Sequence, residues 1–82
     1  MDKDKVAKVI HYYDKIGVVI VKLQKVLKVG DKIKFMKGEN TFEETIESMQ
    51  VEHKAISEAK KGQEIGIKVN QPTKEGTLVY KA

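Results

Sequence analysis

The sequence predicts an all-β fold, and three observations carry the prediction. One short pattern recurs four times: Lys, any residue, Gly, two further residues, then Ile or Val. The copies run Lys15 to Ile20, Lys28 to Ile33, Lys60 to Ile65 and Lys74 to Val79. In each, Gly supplies a positive-φ turn that other residues adopt at a cost, and the aliphatic residues behind it supply a face to bury. The second observation is the run Val18-Val19-Ile20-Val21, β-branched at every position and ill suited to a helix. The third is the spacing of the launches. Four of them within 82 residues fit one small, tightly turned antiparallel β-barrel or sandwich.

The elements follow in order. Residues 5–13 form the first strand, with Ala7, Val9, His11 and Tyr13 on one face and Val6, Lys8, Ile10 and Tyr12 on the other. Asp14-Lys15-Ile16-Gly17 closes a hairpin onto a second strand, Val18 to Leu23. A connection through Lys25, Lys28 and Gly30 leads to a third strand, Lys32 to Met36, and Lys37-Gly38-Glu39-Asn40 makes the next turn. A later strand spans Glu64 to Val69, where Gly66 marks a bulge or a close backbone approach. Pro72 lies in a polar turn, and a short strand, Leu78 to Lys81, ends the chain.

Residues 41–61 read two ways. Thr41 followed by Glu44 resembles a helix capping box, and Phe42, Ile46, Met49 and Ile56 fall near helical spacing. Against this, Thr45, Glu47, Met49, Val51 and His53 alternate as one face of a strand.

Composition bounds the function. The net charge is +4, and all 16 cations are Lys, with no Arg. Lys is a hydrated point charge and lacks the planar fork that pairs bidentately with phosphate or guanine. A Lys- and Glu-rich surface keeps a small domain soluble, as at high temperature, and a basic patch also meets phosphate backbone. Cysteine is absent, which excludes disulfides and thiolate metal sites and suits the cytoplasm. Residues 1–4 read as a polar tail, and no apolar run approaches membrane-spanning length.

Several segments together resemble the second domain of the translational GTPases, the β-barrel that follows the G domain in elongation factor Tu, elongation factor G and initiation factor two. They are Val9 to Leu23, similar to the opening hairpin; Leu27-Lys-Val-Gly-Asp-Lys-Ile33, similar to its xVGDxV turn; Thr45 to Val51, similar to the strand with V-x-S-[IM]; and Ala59 to Ile67, similar to A-x-x-G-[DQ]-x-[VI]-G. The resemblance implies a single closed antiparallel Greek-key barrel of about six strands over residues 1–82, a translation-protein barrel. It implies one strand from Phe42 to His53 and an irregular loop or single helical turn over 55–61. The chain departs from the family in having Asp14-Lys15-Ile16-Gly17 where many members have Gly-Arg-Gly-Thr. It also has no GxxxxGK[ST] loop, so GTP is not expected to bind.

Candidate chemistry is sparse. His11 and His53 are too few and too far apart in sequence for a zinc site. Glu43, Glu44 and Glu47 read as a solvated face rather than an acid–base pair. Ile20, Ile33, Phe35, Ile46, Ile65 and Ile67 are bulky enough to fill a small barrel and leave no ligand cavity. Neither an enzyme nor a cofactor is expected. The expected function is a non-enzymatic binding module contacting ribosomal RNA, tRNA or a translation factor. Its candidate RNA-binding residues are Tyr12, Tyr13, Lys15, Lys22, Lys25, Lys28, Lys60 and Lys61, with Tyr stacking on bases beside Lys on phosphates. The alternative is a protein-interaction module that docks on a larger subunit by a strand edge or by an apolar patch around Tyr13 and Ile16.

Overall fold

The β-branched and alternating segments do form strands, and the glycine turns separate them. A computed structural model describes residues 5–52 and 54–82; the expected polar tail at 1–4 and His53 lie outside the described residues. The strands are β1 (Lys5–Tyr13), β2 (Val18–Leu23), β3 (Leu27–Lys28), β4 (Lys32–Lys37), β5 (Asn40–Thr45), β6 (Met49–Val51), β7 (Lys54–Ile56), β8 (Glu58–Ala59), β9 (Glu64–Lys68) and β10 (Leu78–Lys81). No described residue is helical.

Every strand pairing is antiparallel. One sheet of eight strands runs in the order β5-β4-β10-β1-β2-β9-β6-β7, and β3 with β8 forms a second, two-stranded sheet. The all-β antiparallel expectation holds. Closure does not appear in the ladders: among the described residues none joins the outer strands β5 and β7. The middle of the chain also differs from the single strand expected over 42–53. β5 ends at Thr45, β6 starts at Met49, and β7 and β8 occupy much of the segment expected to be irregular. The helical spacing of Phe42, Ile46 and Met49 is overridden by pairing of Phe42 with β4, of Ile46 with the turn at Gly30 and Asp31, and of Met49 with β9.

Strand β1 shows why a simple alternation misassigns faces. Its register against β2 shifts between Val9 and His11, leaving Ile10 as the extra residue of a bulge. Val9 is therefore buried, whereas His11 and Tyr13 turn outward and Tyr12 packs against the core. A second shift, between Lys5 and Ala7 against β10, lets Val6 and Ala7 both be buried. The core is aliphatic and centred on Val19, Val21, Leu23, Ile33, Phe35 and Ile65. Phe35 stacks on Phe42, with ring centroids 4.9 Å apart.

Two of the recurring turns are one structural unit used twice. In the first, Gly30 donates its N–H to the Ile46 carbonyl (2.8 Å), and Asp31 accepts from the Ile46 N–H (2.9 Å). In the second, Gly62 donates to the Leu23 carbonyl (2.9 Å), and Gln63 accepts from the Leu23 N–H (2.9 Å). The side chain two residues before the closing Ile or Val accepts the first residue's N–H in both: Asp31 from Lys28 at 3.0 Å, Gln63 from Lys60 at 2.7 Å. The units meet at Leu27↔Ala59, equivalent positions paired with each other. The ladders β2·β9 and β5·β4 are then equivalent step by step: Lys22↔Glu64 matches Thr45↔Lys32, Ile20↔Gly66 matches Glu43↔Lys34, and Val19↔Ile67 matches Phe42↔Phe35.

Candidate functional site

Along β2 the inward positions are Val19, Val21 and Leu23, so Val18, Ile20 and Lys22 face out. The expectation that Ile20 fills the interior is thereby corrected; Ile33, Phe35, Ile46, Ile65 and Ile67 do fill it. Ile20 pairs with Gly66 on β9, which is buried although it belongs to the outward row. A Cβ at Gly66 would stand 3.2 Å from Val18 Cγ1 and 3.5 Å from Ile20 Cδ1. The bare glycine thus lets both aliphatic side chains lie flat across β9. The result is a shallow open groove of about 480 Å³ whose apolar wall is Tyr13, Ile16, Val18 and Ile20. Tyr13 and Ile16 are 46% and 63% exposed, so this apolar surface faces water. The opposite rim is polar: Gln50, Glu52 and Glu64.

The fold does not require this face. At the equivalent step of β5·β4 stand Glu43 and Lys34, and Lys32 pairs with Glu43 at 3.4 Å. An ordinary solvated face serves there, so the aliphatic groove on β2·β9 is a departure from what packing alone demands.

Seven of the eight candidate nucleic-acid residues divide between the two ends of β2. Tyr12, Tyr13 and Lys15 belong to the β1–β2 hairpin, where Gly17 donates to the Tyr13 carbonyl. Tyr13 is also edge-on to the His11 ring at 4.7 Å, and His11 Nδ1 lies 3.1 Å from Glu75. Lys22, Lys25, Lys60 and Lys61 gather at the other end, because the Gly62 turn bonds to Leu23. Lys28 is on β3, its ammonium 3.7 Å from Glu58. Lys8, absent from the candidates, stands directly opposite Lys22. Sequence reasoning also missed Gly66 as a groove floor and Glu52 and Glu64 as its rim. The sequence marks Gly66 as a bulge or close approach, but its partners across the sheet are set by register. A second groove lies between the β4–β5 hairpin and residues 71–77, where the Lys37 ammonium holds the Glu75 carbonyl at 2.7 Å. Among the described residues no group of three or more His, Cys, Asp or Glu is placed to hold a metal.

No family model matches the chain. Over 79 residues it is 38% identical to an uncharacterized protease of Methanocaldococcus jannaschii, an alignment covering 95% of this chain and 19% of that protein. The chain therefore spans about a fifth of that relative's length. Among solved structures, the C-terminal domain of a candidate U32 peptidase from Geobacillus thermoleovorans superposes with a TM-score of 0.91 at 21% identity, covering 100% of this chain and 96% of that one. Its selenomethionine variant gives 0.89 at 22%, covering 94% and 98%. The chain has the fold of that C-terminal domain. The expected kinship with the second domain of the translational GTPases is overturned by these matches, which point to protease-named proteins over nearly the whole chain. The motifs that suggested it are short glycine turns and strand starts, and such turns serve any small antiparallel sheet of this kind.

Proposed function

We propose that this domain is a non-enzymatic docking module that acts in the cytoplasm as part of a larger architecture and holds a polypeptide against the groove over Gly66. The observation that carries the reading is the contrast between equivalent ladder steps, Ile20↔Gly66 against Glu43↔Lys34. One face is apolar and water-exposed where its twin is charged, and exposed apolar patches of this kind mark interaction surfaces. The match to a fifth of a protease-named relative supports a module serving a longer chain. Selection of a phage-displayed peptide library on the domain tests this. Peptides should be enriched on the wild-type domain and not on Ile20→Glu combined with Gly66→Lys, which writes the charged face of β5·β4 onto β2·β9. Equal enrichment on both would remove the groove from the function.

A second reading keeps one specific observation. Lys8 and Lys22 face each other across β1·β2, with Lys25, Lys60 and Lys61 at the same end. Like charges placed opposite one another cost stability, and an RNA phosphate backbone would relieve that cost. This reading expects retention of single-stranded RNA that weakens steeply as salt rises. It also expects loss of retention in Lys22→Glu with Lys60→Glu and Lys61→Glu, and no change in Lys15→Glu at the far end. Retention indifferent to the triple substitution would reject the site.

A further inference from the structure

The groove's two sides differ in charge as well as polarity, and the charge runs against that of the molecule. The protein carries a net +4, yet the charged side chains that line the groove are Glu52 and Glu64. Lys22 and Lys68 share the outer face, opposite Glu64 and Val18, but neither lines the groove. Glu52 has a further peculiarity. It lies in the loop between β6 and β7 with φ at 51°, and among the described residues no other non-glycine has a positive φ. A two-residue hairpin loop needs that conformation, and Gly, Asn or Asp supplies it more easily. The chain accepts a strained backbone here and gains a long carboxylate at the groove mouth, a pattern seen where a side chain is kept for function.

We infer that the occupant of the groove is an extended segment of a separate polypeptide that sets aliphatic side chains against Val18, Ile20 and Ile16 and Lys or Arg against Glu52 and Glu64. This rests on the docking reading above and goes beyond it in naming the ligand's charge. Aliphatic residues displace water from the exposed wall. Alternate side chains of an extended segment point to opposite sides, so the Lys or Arg between the aliphatic residues meet the acidic rim while the aliphatic residues meet the wall. Ion pairs at such an open rim contribute modestly, so they sort ligands more than they hold them.

Three terminally blocked heptapeptides serve as probes, Ser-Ile-X-Ile-X-Ile-Ser with X as Lys, Glu or Ser, titrated by calorimetry at low salt. The Lys peptide should bind about fivefold more tightly than the Ser peptide, the Glu peptide more weakly than either. Glu52→Asn combined with Glu64→Gln should erase the ranking, bringing the three peptides to one affinity. Asn at 52 suits the turn, so this variant keeps its fold. Tightest binding of the Glu peptide, which the net charge of +4 would dictate, overturns the inference. So does a ranking that survives the Asn and Gln substitutions. If the Ser and Glu peptides bind through the groove and the Lys peptide does not, the docking reading stands and the inference falls. If Ile20→Glu changes the affinity of no peptide, the docking reading itself falls. Concentration-dependent self-association in sedimentation that Ile20→Glu abolishes would make a second copy the occupant and overturn the inference.

Discussion

At Gly30 and at Gly62 the chain makes the same turn with the same hydrogen bonds, one with Asp31 and the other with Gln63 accepting the Lys N–H. Both deliver a buried Ile, Ile33 and Ile65, into one core. The outward faces behind these turns are both polar at the first step and part company at the second. Along β5·β4 stand Thr45↔Lys32 and Glu43↔Lys34; along β2·β9 stand Lys22↔Glu64 and Ile20↔Gly66. Inner positions are held by packing and turn positions by backbone geometry, so both are repeated. Outer positions answer to neither constraint, and it is there that the two halves differ. A repeated scaffold thus acts as its own control: what the second copy changes without structural need is where function is best sought.

The two ladders carry their heaviest common load in the core. Phe35 and Ile67 occupy equivalent positions and are 0% and 1% exposed. Phe35→Ala should cost about 3–5 kcal/mol and Ile67→Ala about 2–5 kcal/mol in urea unfolding, from lost transfer energy and the cavity left behind. The greater loss at Phe35 follows from its stacking on Phe42 at 4.9 Å. A cost below about 1 kcal/mol at Ile67, well under the usual range for such a deletion, would show that the second ladder does not share the load of the first.

Much of the fold was legible because strand starts are local. Lys5 to Tyr13, Val18 to Leu23, Lys32 onward, Glu64 onward and Leu78 to Lys81 all fall where turn chemistry and β-branching put them. The break between Thr45 and Met49, and the small strands β3, β7 and β8, were not legible, because they exist only through partners far away in sequence. The outward turn of His11 and Tyr13 depends on a bulge at Ile10 that no alternation pattern announces. The apolar patch around Tyr13 and Ile16 was visible in part from the sequence. Its wall, floor and acidic rim were not, since Ile20, Gly66, Gln50 and Glu52 meet only through register across β2, β9 and β6. The wrong kinship has the same origin: short turn motifs report local backbone needs, and unrelated small β domains share those needs.

Smaller effects are expected at the turns themselves. Gly30 and Gly62 have φ of 98° and 90°, and a Cβ built on either meets nothing within 4 Å. Substitution by Ala therefore adds no clash, and its cost is the backbone's own reluctance to hold a left-handed conformation, about 1–2 kcal/mol. Since the hydrogen bonds that close the two turns are the same, Gly30→Ala and Gly62→Ala should lower stability equally, within about 0.5 kcal/mol, and the double variant should lose the sum. Unequal losses would mean that one turn is held by contacts outside the shared set, with the Val29 N–H on the Ser57 carbonyl (2.9 Å) the first place to look. A double variant that loses much less than the sum would mean that the turns yield together, through the Leu27↔Ala59 pairing that joins them.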